Sequence, residues 1–290
     1  MIFLIYDHCL RECMVSFDKS FLGELKILLR ELSPDSLRWL EERCEKAVTP
    51  GEIYLAFSMV PRFVPREPVM PDTRNGFFIY LKELGHTVDH WTGDQIGRLM
   101  VLLSASRLEP EAYAKVISQL LDTGDIYEQV TIYKCLMFLP SRALLVNRVV
   151  DGVRTNINDV FEAIALGNAY PSIYFDELAW NQMVLKALFT SKPIRKIIGI
   201  DDRKNPRLAK MALGLAHERW AAGRMVNPDL WRLVGPYLDE SHTEDLKCLL
   251  SGSEMERKAA ALLCRESSNP LIAGMLPVDE VVDYTWEDIR

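Results

Sequence analysis

No CxxC pair occurs among the six cysteines. Cys9, Cys13, Cys44, Cys135, Cys248 and Cys264 are widely and unevenly spaced, which excludes a disulfide framework and a structural zinc site. His8, Cys9 and Cys13 lack a fourth ligand nearby, so no metal is expected there. No stretch approaches the ~18 uncharged apolar residues of a membrane span. The apolar start Met1 to Tyr6 is interrupted at once by Asp7 and His8, too soon for a signal peptide. Basic charge is in deficit, with 34 Lys and Arg against 41 Asp and Glu and a net charge of −7, which argues against a general nucleic-acid binder. Catalytic signatures are also missing. His217-Glu218 opens like HExxH, but position 221 is Ala221. Asp201-Asp202 opens like DDxxD, but position 205 is Asn205. No G-x-S-x-G elbow and no P-loop occurs, and no cofactor is expected.

What the chain does have is helical periodicity. Its 290 residues are 49% hydrophobic, a globular composition, and long enough to bury a core without disulfides or metal. Leu22, Leu25, Leu28, Leu29 and Leu32 form one apolar stripe at three- and four-residue steps. Ser33-Pro34, Thr49-Pro50, Asn205-Pro206, Asn227-Pro228 and Asn269-Pro270 each pair an N-cap residue with proline at the first helical position. Capping boxes are spaced at Thr49 with Glu52, Thr92 with Gln95, Asp125 with Glu128 and Ser253 with Glu256. These signals predict helices over 18–32, 34–48, 50–59, 75–85, 93–107, 109–122, 125–138, 141–150, 156–167, 171–190, 206–222, 228–238, 242–251, 254–267 and 270–275. Hairpin-linked alternating strands are absent, and Ile194 to Ile200 reads as a loop or short helix. Cys44, Cys135, Cys248 and Cys264 fall in apolar helical surroundings and are expected to be buried thiols of a reducing compartment. Gly223 and Gly235 are spaced as helix stops.

Helix pairs recurring every 30 to 40 residues predict an all-α fold, an irregular armadillo/HEAT-like helical-repeat solenoid. A compact non-repeating bundle is the alternative. One all-helical domain is expected over 14–290. Met14 is an alternative start, leaving 1–13 as a lead outside the pattern. Pro61, Pro65, Pro68 and Pro71 forbid a regular helix between Pro61 and Asn75 and predict a long loop.

Two segments stand out as candidate binding surfaces. The first holds Tyr174, Trp180, Asn181, Gln182 and Lys186, polar and aromatic residues on one predicted helix, 171–190. The second holds Asp201, Asp202, Arg203, His217, Glu218, Arg219 and Trp220. On the wheel of helix 206–222, Leu208, Met211, Ala212, Leu215 and Ala216 make one face, and Arg219 falls near its middle. A buried arginine needs a carboxylate or carbonyls, and Asp201, Asp202 and Glu177 are the candidate partners. Arg219 is then a brace in the stack, a half-exposed residue, or a pocket arginine for an anionic ligand. Lys192, Arg195, Lys196, Arg203, Lys204, Arg207 and Lys210 form a basic cluster in an acidic chain, either solvated or facing an acidic group.

The strings that carry a family resemblance are Trp180-Asn181-Gln182-Met183-Val184-Leu185-Lys186-Ala187-Leu188-Phe189, Asn205-Pro206-Arg207-Leu208-Ala209, Ala216-His217-Glu218-Arg219-Trp220-Ala221-Ala222-Gly223-Arg224, and Asn227-Pro228-Asp229-Leu230-Trp231-Arg232 with Gly235-Pro236. The chain resembles the EboA family of bacterial metabolite-traffic proteins, most strongly over 165–268. The resemblance implies a cytoplasmic, non-catalytic adaptor or carrier that helps move secondary-metabolite precursors toward the periplasm. The implied partners are proteins of the same system, including a membrane prenyltransferase-like protein. It supplies no catalytic residues. The rival expectation is a binder or enzyme with an anionic or aromatic metabolite in a cavity between helices 171–190 and 206–222, where Arg219, Asn181 and Trp180 would converge.

Overall fold

Helix starts in this chain are written locally, and the computed structural model, which describes residues 19–276 and 282–289, realises them. Ser33 accepts the Ser36 N–H, Asn205 the Leu208 N–H, Asn227 the Asp229 N–H and Asn269 the Leu271 N–H, each with proline following. Each such cap satisfies a helix N–H that has no carbonyl of its own and stabilises by about 1 kcal/mol. The boxes at Thr49, Asp125 and Ser253 close in both directions. At Thr92 the N–H donates to Gln95 Oε1 (3.3 Å), while the hydroxyl donates to Asp94 Oδ1 (2.6 Å).

Sixteen α-helices and eight 3-10 turns follow among the described residues. The helices are α1 (Lys19–Leu32), α2 (Pro34–Lys46), α3 (Pro50–Phe63), α4 (Gly76–Glu83), α5 (Gly93–Ser104), α6 (Pro110–Thr123), α7 (Ile126–Cys135), α8 (Val146–Val153), α9 (Asn158–Ala165), α10 (Tyr170–Tyr174), α11 (Glu177–Phe189), α12 (Pro206–Ala221), α13 (Trp231–Val234), α14 (Thr243–Leu250), α15 (Glu254–Glu266) and α16 (Pro270–Ala273). Among the described residues the sole β-pairing is an isolated antiparallel bridge between Pro68 and Thr92. The fold is all-α.

The chain divides into two compact units, residues 1–163 and 164–290. In the first, α5 is the hub. It packs on α1, α2 and α3, and eleven of its twelve residues are buried. Gly97 permits this crowding, since a Cβ there would lie 3.1 Å from Val60 Cγ1. An aromatic cluster of Phe21, Phe77, Trp91 and Phe138 fills the adjoining core, with ring centroids 5.0 to 6.2 Å apart. In the second unit, α12 packs on α11 and α13, and α15 packs on α13, α14 and α16.

Three expectations are corrected. Helix 50–59 runs on to Phe63 through Pro61. Pro61 removes one backbone bond, the one its own nitrogen would make to Phe57 O, and the helix ends two residues later. The loop after it is pinned by Val69 N–H to Trp91 O (2.8 Å) and Gly93 N–H to Glu67 O (3.0 Å). The single helix 171–190 is two helices. Phe175 and Asp176 are extended, and Asp176 caps α11 by accepting the Ala179 N–H (2.7 Å). Cys248 is exposed rather than buried, while Cys135 and Cys264 are buried and Cys44 is half-buried. Burial pushes the Cys135 thiol up to about 12 and Cys264 to about 11, so neither is a ready thiolate. Met14, His8, Cys9 and Cys13 lie outside the described residues. The 194–200 segment holds a 3-10 turn, Ile194–Lys196.

Candidate functional site

The candidate residues sit in the second unit, and the first question is what each polar group already touches. Asn181 is fully buried on α11. Its amide nitrogen donates to Asn205 Oδ1 (3.1 Å), and Asn205 donates back to Asn181 Oδ1 (2.9 Å). The same Asn205 oxygen caps α12 through the Leu208 N–H (2.9 Å). A buried amide left unpaired would be costly, so this exchange is what lets Asn181 sit in the core.

Arg203 is likewise engaged. Nη1 donates to Pro171 O (2.9 Å) and Ser172 O (3.1 Å), and Nη2 donates to Phe175 O (2.8 Å). These are carbonyls in and just after α10, and that of Pro171 also accepts the Phe175 N–H (3.1 Å). The guanidinium lies over the buried Trp180 ring, 4.6 Å from its centroid. Arg203 therefore closes one helix and covers the aromatic residue of the next. The half-buried Tyr174 ring packs on Tyr170 at 4.6 Å. Gln182 is exposed, and Lys186 is half-buried, its amine lowered by desolvation.

Arg219 takes none of the three expected carboxylates but a backbone carbonyl. Its Nε donates to Met225 O (2.7 Å) just beyond the helix. Helix α12 ends in a Schellman arrangement, with Gly223 at φ 64, Gly223 N–H to Trp220 O (2.9 Å) and Arg224 N–H to Arg219 O (2.8 Å). In the last turn a wheel position no longer decides burial, because the side chain reaches past the helix end. Arg219 also lies fourteen residues from Asn205 along one helix, ~21 Å at 1.5 Å per residue. Since Asn205 touches Asn181, the expected convergence of Arg219 with Asn181 and Trp180 does not occur.

Asp201 instead belongs to Arg232. Arg232 Nε donates to Asp201 Oδ1 (2.8 Å), Nη2 donates to Oδ2, and Nη1 donates to Glu287 Oε1 (2.9 Å). Lys204 Nζ also reaches Asp201 Oδ1 (2.8 Å). Burial pushes the Asp201 carboxyl up, but the hydrogen bonds and charges of Arg232 and Lys204 together outweigh it and hold the group at about 2. Asp202 and Glu218 are exposed, and so is Glu177.

At the far end of α12, exposed His217 meets Asp245 (Nε2 to Oδ1, 2.8 Å). Its ring stacks 6.0 Å from half-buried Trp220, which stacks 5.4 Å from buried Trp231. Seven of the twelve candidates thus fall into three places. Trp180, Asn181 and Arg203 lie around α11, Asp201 lies on Arg232, and His217, Arg219 and Trp220 close the end of α12. Gly235, read as a stop, has φ −43 and is needed for close approach: a Cβ there would lie 2.8 Å from Leu263 Cδ2.

Asp229, Arg232 and Glu287 were missed as candidate residues. Asp229 is 2% exposed. Neither carboxylate oxygen accepts a well-formed hydrogen bond among the described residues. Desolvation pushes the group up to about 6, and the charge of Arg232 with the backbone and charge of Arg195 pull it back only in part. Its signal in the sequence was an acid immediately before the apolar run Leu230 to Val234 and a base three residues on, inside that run.

The first unit holds a second buried polar network that sequence reasoning also missed. Fully buried Asp94 accepts from Thr92 Oγ1 (2.6 Å) and Tyr127 OH (3.2 Å) and faces Arg98 Nη1 (3.5 Å). Arg98 donates to Glu128 Oε1 (3.2 Å). Lys134 donates to His90 O (3.0 Å) and Gln95 Oε1 (3.0 Å) over the Trp91 ring, and desolvation lowers its amine to about 8. These groups answer one another and anchor the buried start of α5.

Among the described residues, no group of three or more His, Cys, Asp or Glu side chains is arranged to hold a metal ion. No helix among them is long and apolar enough to cross a membrane. No curated protein and no solved structure matches the chain. One family model does, that of the metabolite traffic protein EboA, over residues 23–235. That span takes in the hub helix α5, the Asn181–Asn205 pair, the Arg203 clamp and Arg232. The chain belongs to the EboA family.

Proposed function

We propose that this protein is a non-catalytic adaptor or carrier in the traffic of secondary-metabolite precursors toward the periplasm. It works from the cytoplasm as an armadillo/HEAT-like stack of helices, and a protein of the same system, such as a membrane prenyltransferase-like protein, docks on its surface. The observation that carries this reading is the fate of the candidate polar groups. Arg203, Asn181, Asp201 and Arg219 each close a bond inside the second unit, whereas Gln182, Asp202 and Glu218 are turned to solvent and His217, though bonded to Asp245, is exposed. Inward groups that already answer one another hold shape, and outward groups are what a partner can read. The family description agrees with a traffic role.

The test is gentle purification of the tagged protein from its source cells at low salt, alongside Gln182→Arg and His217→Glu. A stoichiometric protein partner recovered with the parent and lost with the surface variants, their folds intact by circular dichroism, is the expected result. Recovery of no partner at low salt would contradict the reading.

A further inference from the structure

The segment 282–289 is held to α15 by ties that do not depend on Asp229. Arg265 Nη1 donates to Val282 O and Tyr284 O (3.0 Å each), and Trp286 Nε1 donates to Glu266 Oε2 (2.9 Å). Thr285 caps the turn Trp286–Asp288, which presents Glu287 to Arg232 on α13. Three residues before Arg232 stands Asp229, buried, with the backbone of Arg195 near its carboxylate but no well-formed hydrogen bond on either oxygen among the described residues. One arginine therefore faces three carboxylates. Asp201 holds two of its nitrogens, Glu287 holds the third, and Asp229 acts on it through charge alone.

We propose that the segment 282–289 is a proton-linked latch, in which the charge on Asp229 sets how firmly Glu287 is held on Arg232. An ionised Asp229 repels Glu287 and shares the field of Arg232. A neutral Asp229 does neither. The groups that face Asp229 from the elements packed on it support this assignment. The 3-10 turn Ile194–Lys196 brings Arg195, α13 brings Arg232, and the segment brings Glu287. The buried face of α15, Ala259 to Cys264, brings only the thiol of Cys264, which stays neutral because burial raises it to about 11. Asp201, bonded to Arg232 and Lys204, is held at about 2 and stays ionised over this range. The latch then tightens as pH falls through the titration of Asp229 and loosens as pH rises. Linkage makes the effect reciprocal, so opening the latch lowers the Asp229 titration by the same factor.

The test is hydrogen exchange at the Asp288 and Ile289 amides, which bond to Thr285 O (3.0 Å) and Trp286 O (3.4 Å). Rates are corrected for intrinsic exchange at pH 5 and pH 7.5, and the Asp229 carboxyl is followed by carbon NMR. In the parent, opening should rise roughly tenfold across that range, the equivalent of about one pKa unit of coupling. Asp229→Asn should hold the low-pH value at both. Glu287→Gln should open more at both and lower the Asp229 midpoint by about one unit. Should Asp229→Asn fail to fold, Glu287→Gln decides alone. A parent without pH dependence, an Asp229→Asn variant that keeps it, or an unmoved Asp229 midpoint in Glu287→Gln would overturn the proposal.

Discussion

Asn181 and Asn205 exchange both halves of their amides across two helices, with N···O distances of 3.1 and 2.9 Å, while Asn205 also caps α12. One residue thus begins a helix and satisfies a core amide on its neighbour. Asn181→Ala should destabilise the protein by roughly 1–3 kcal/mol, the cost of an amide left short of a partner in the interior. Asn205→Ala should cost more, because the cap goes too. Urea midpoints of the two singles and the double mutant check this, and the double should fall short of the sum.

Arg203 distributes two nitrogens over three carbonyls and lays its plane on Trp180. A lysine has no planar fork and stacks poorly. Arg203→Lys should therefore cost about 2 kcal/mol and alter the near-ultraviolet circular dichroism of the tryptophans, whereas a lysine at exposed Arg207 should change neither.

Asp229 runs opposite to most carboxylates. Its folded value of about 6 lies above the ordinary 3.8, so between those values the native state binds more protons than the unfolded chain, and stability falls as pH rises. The ionised form in the fold is disfavoured by roughly 2–3 kcal/mol above pH 6, at 1.36 kcal/mol per unit. Asp229→Asn should raise the melting temperature at pH 7.5, with the gain shrinking below pH 6 and gone near pH 4.

Asp201 runs the usual way. Arg232 and Lys204 overcome burial and hold it at about 2, so its stabilisation is full above pH 4 and disappears as pH falls toward 2. The carboxylate is 47% exposed, and solvent screening reduces the contribution to roughly 1 kcal/mol. Asp201→Asn should lower stability by that amount at pH 7 and by little at pH 2.5. Arg232→Met, which leaves Asp201 with Lys204 alone and Glu287 without its arginine, should cost more at pH 7.

Much of the helical layout was legible because its signals are local. Asn205-Pro206 states a helix start within two residues, and the structure places α12 there. The break at Asp176 was not, since apolar and aromatic residues keep a helical rhythm from Tyr170 to Phe189 and mask the cap between them. Arg232 with Asp201 was hidden for a different reason. The pair is separated by thirty-one positions, and no spacing rule reaches that far. Arg219 misled because a wheel treats the last turn like the middle, and its side chain instead turns back onto Met225. Nothing local in the sequence marks Asp94 and Arg98 as buried, yet eleven of the twelve residues of α5 are buried and these two answer Tyr127 and Glu128 there.

Native mass spectrometry of the protein purified gently from its own cells tests the central claim, that Asn181, Arg203, Asp201 and Arg219 are already bonded within the fold and the chain acts through its surface. A bare polypeptide mass, accompanied by a protein partner, is the predicted result. A small molecule bound at one per chain and released by Asn181→Ala or Arg203→Ala would contradict it, and its mass would name the metabolite class.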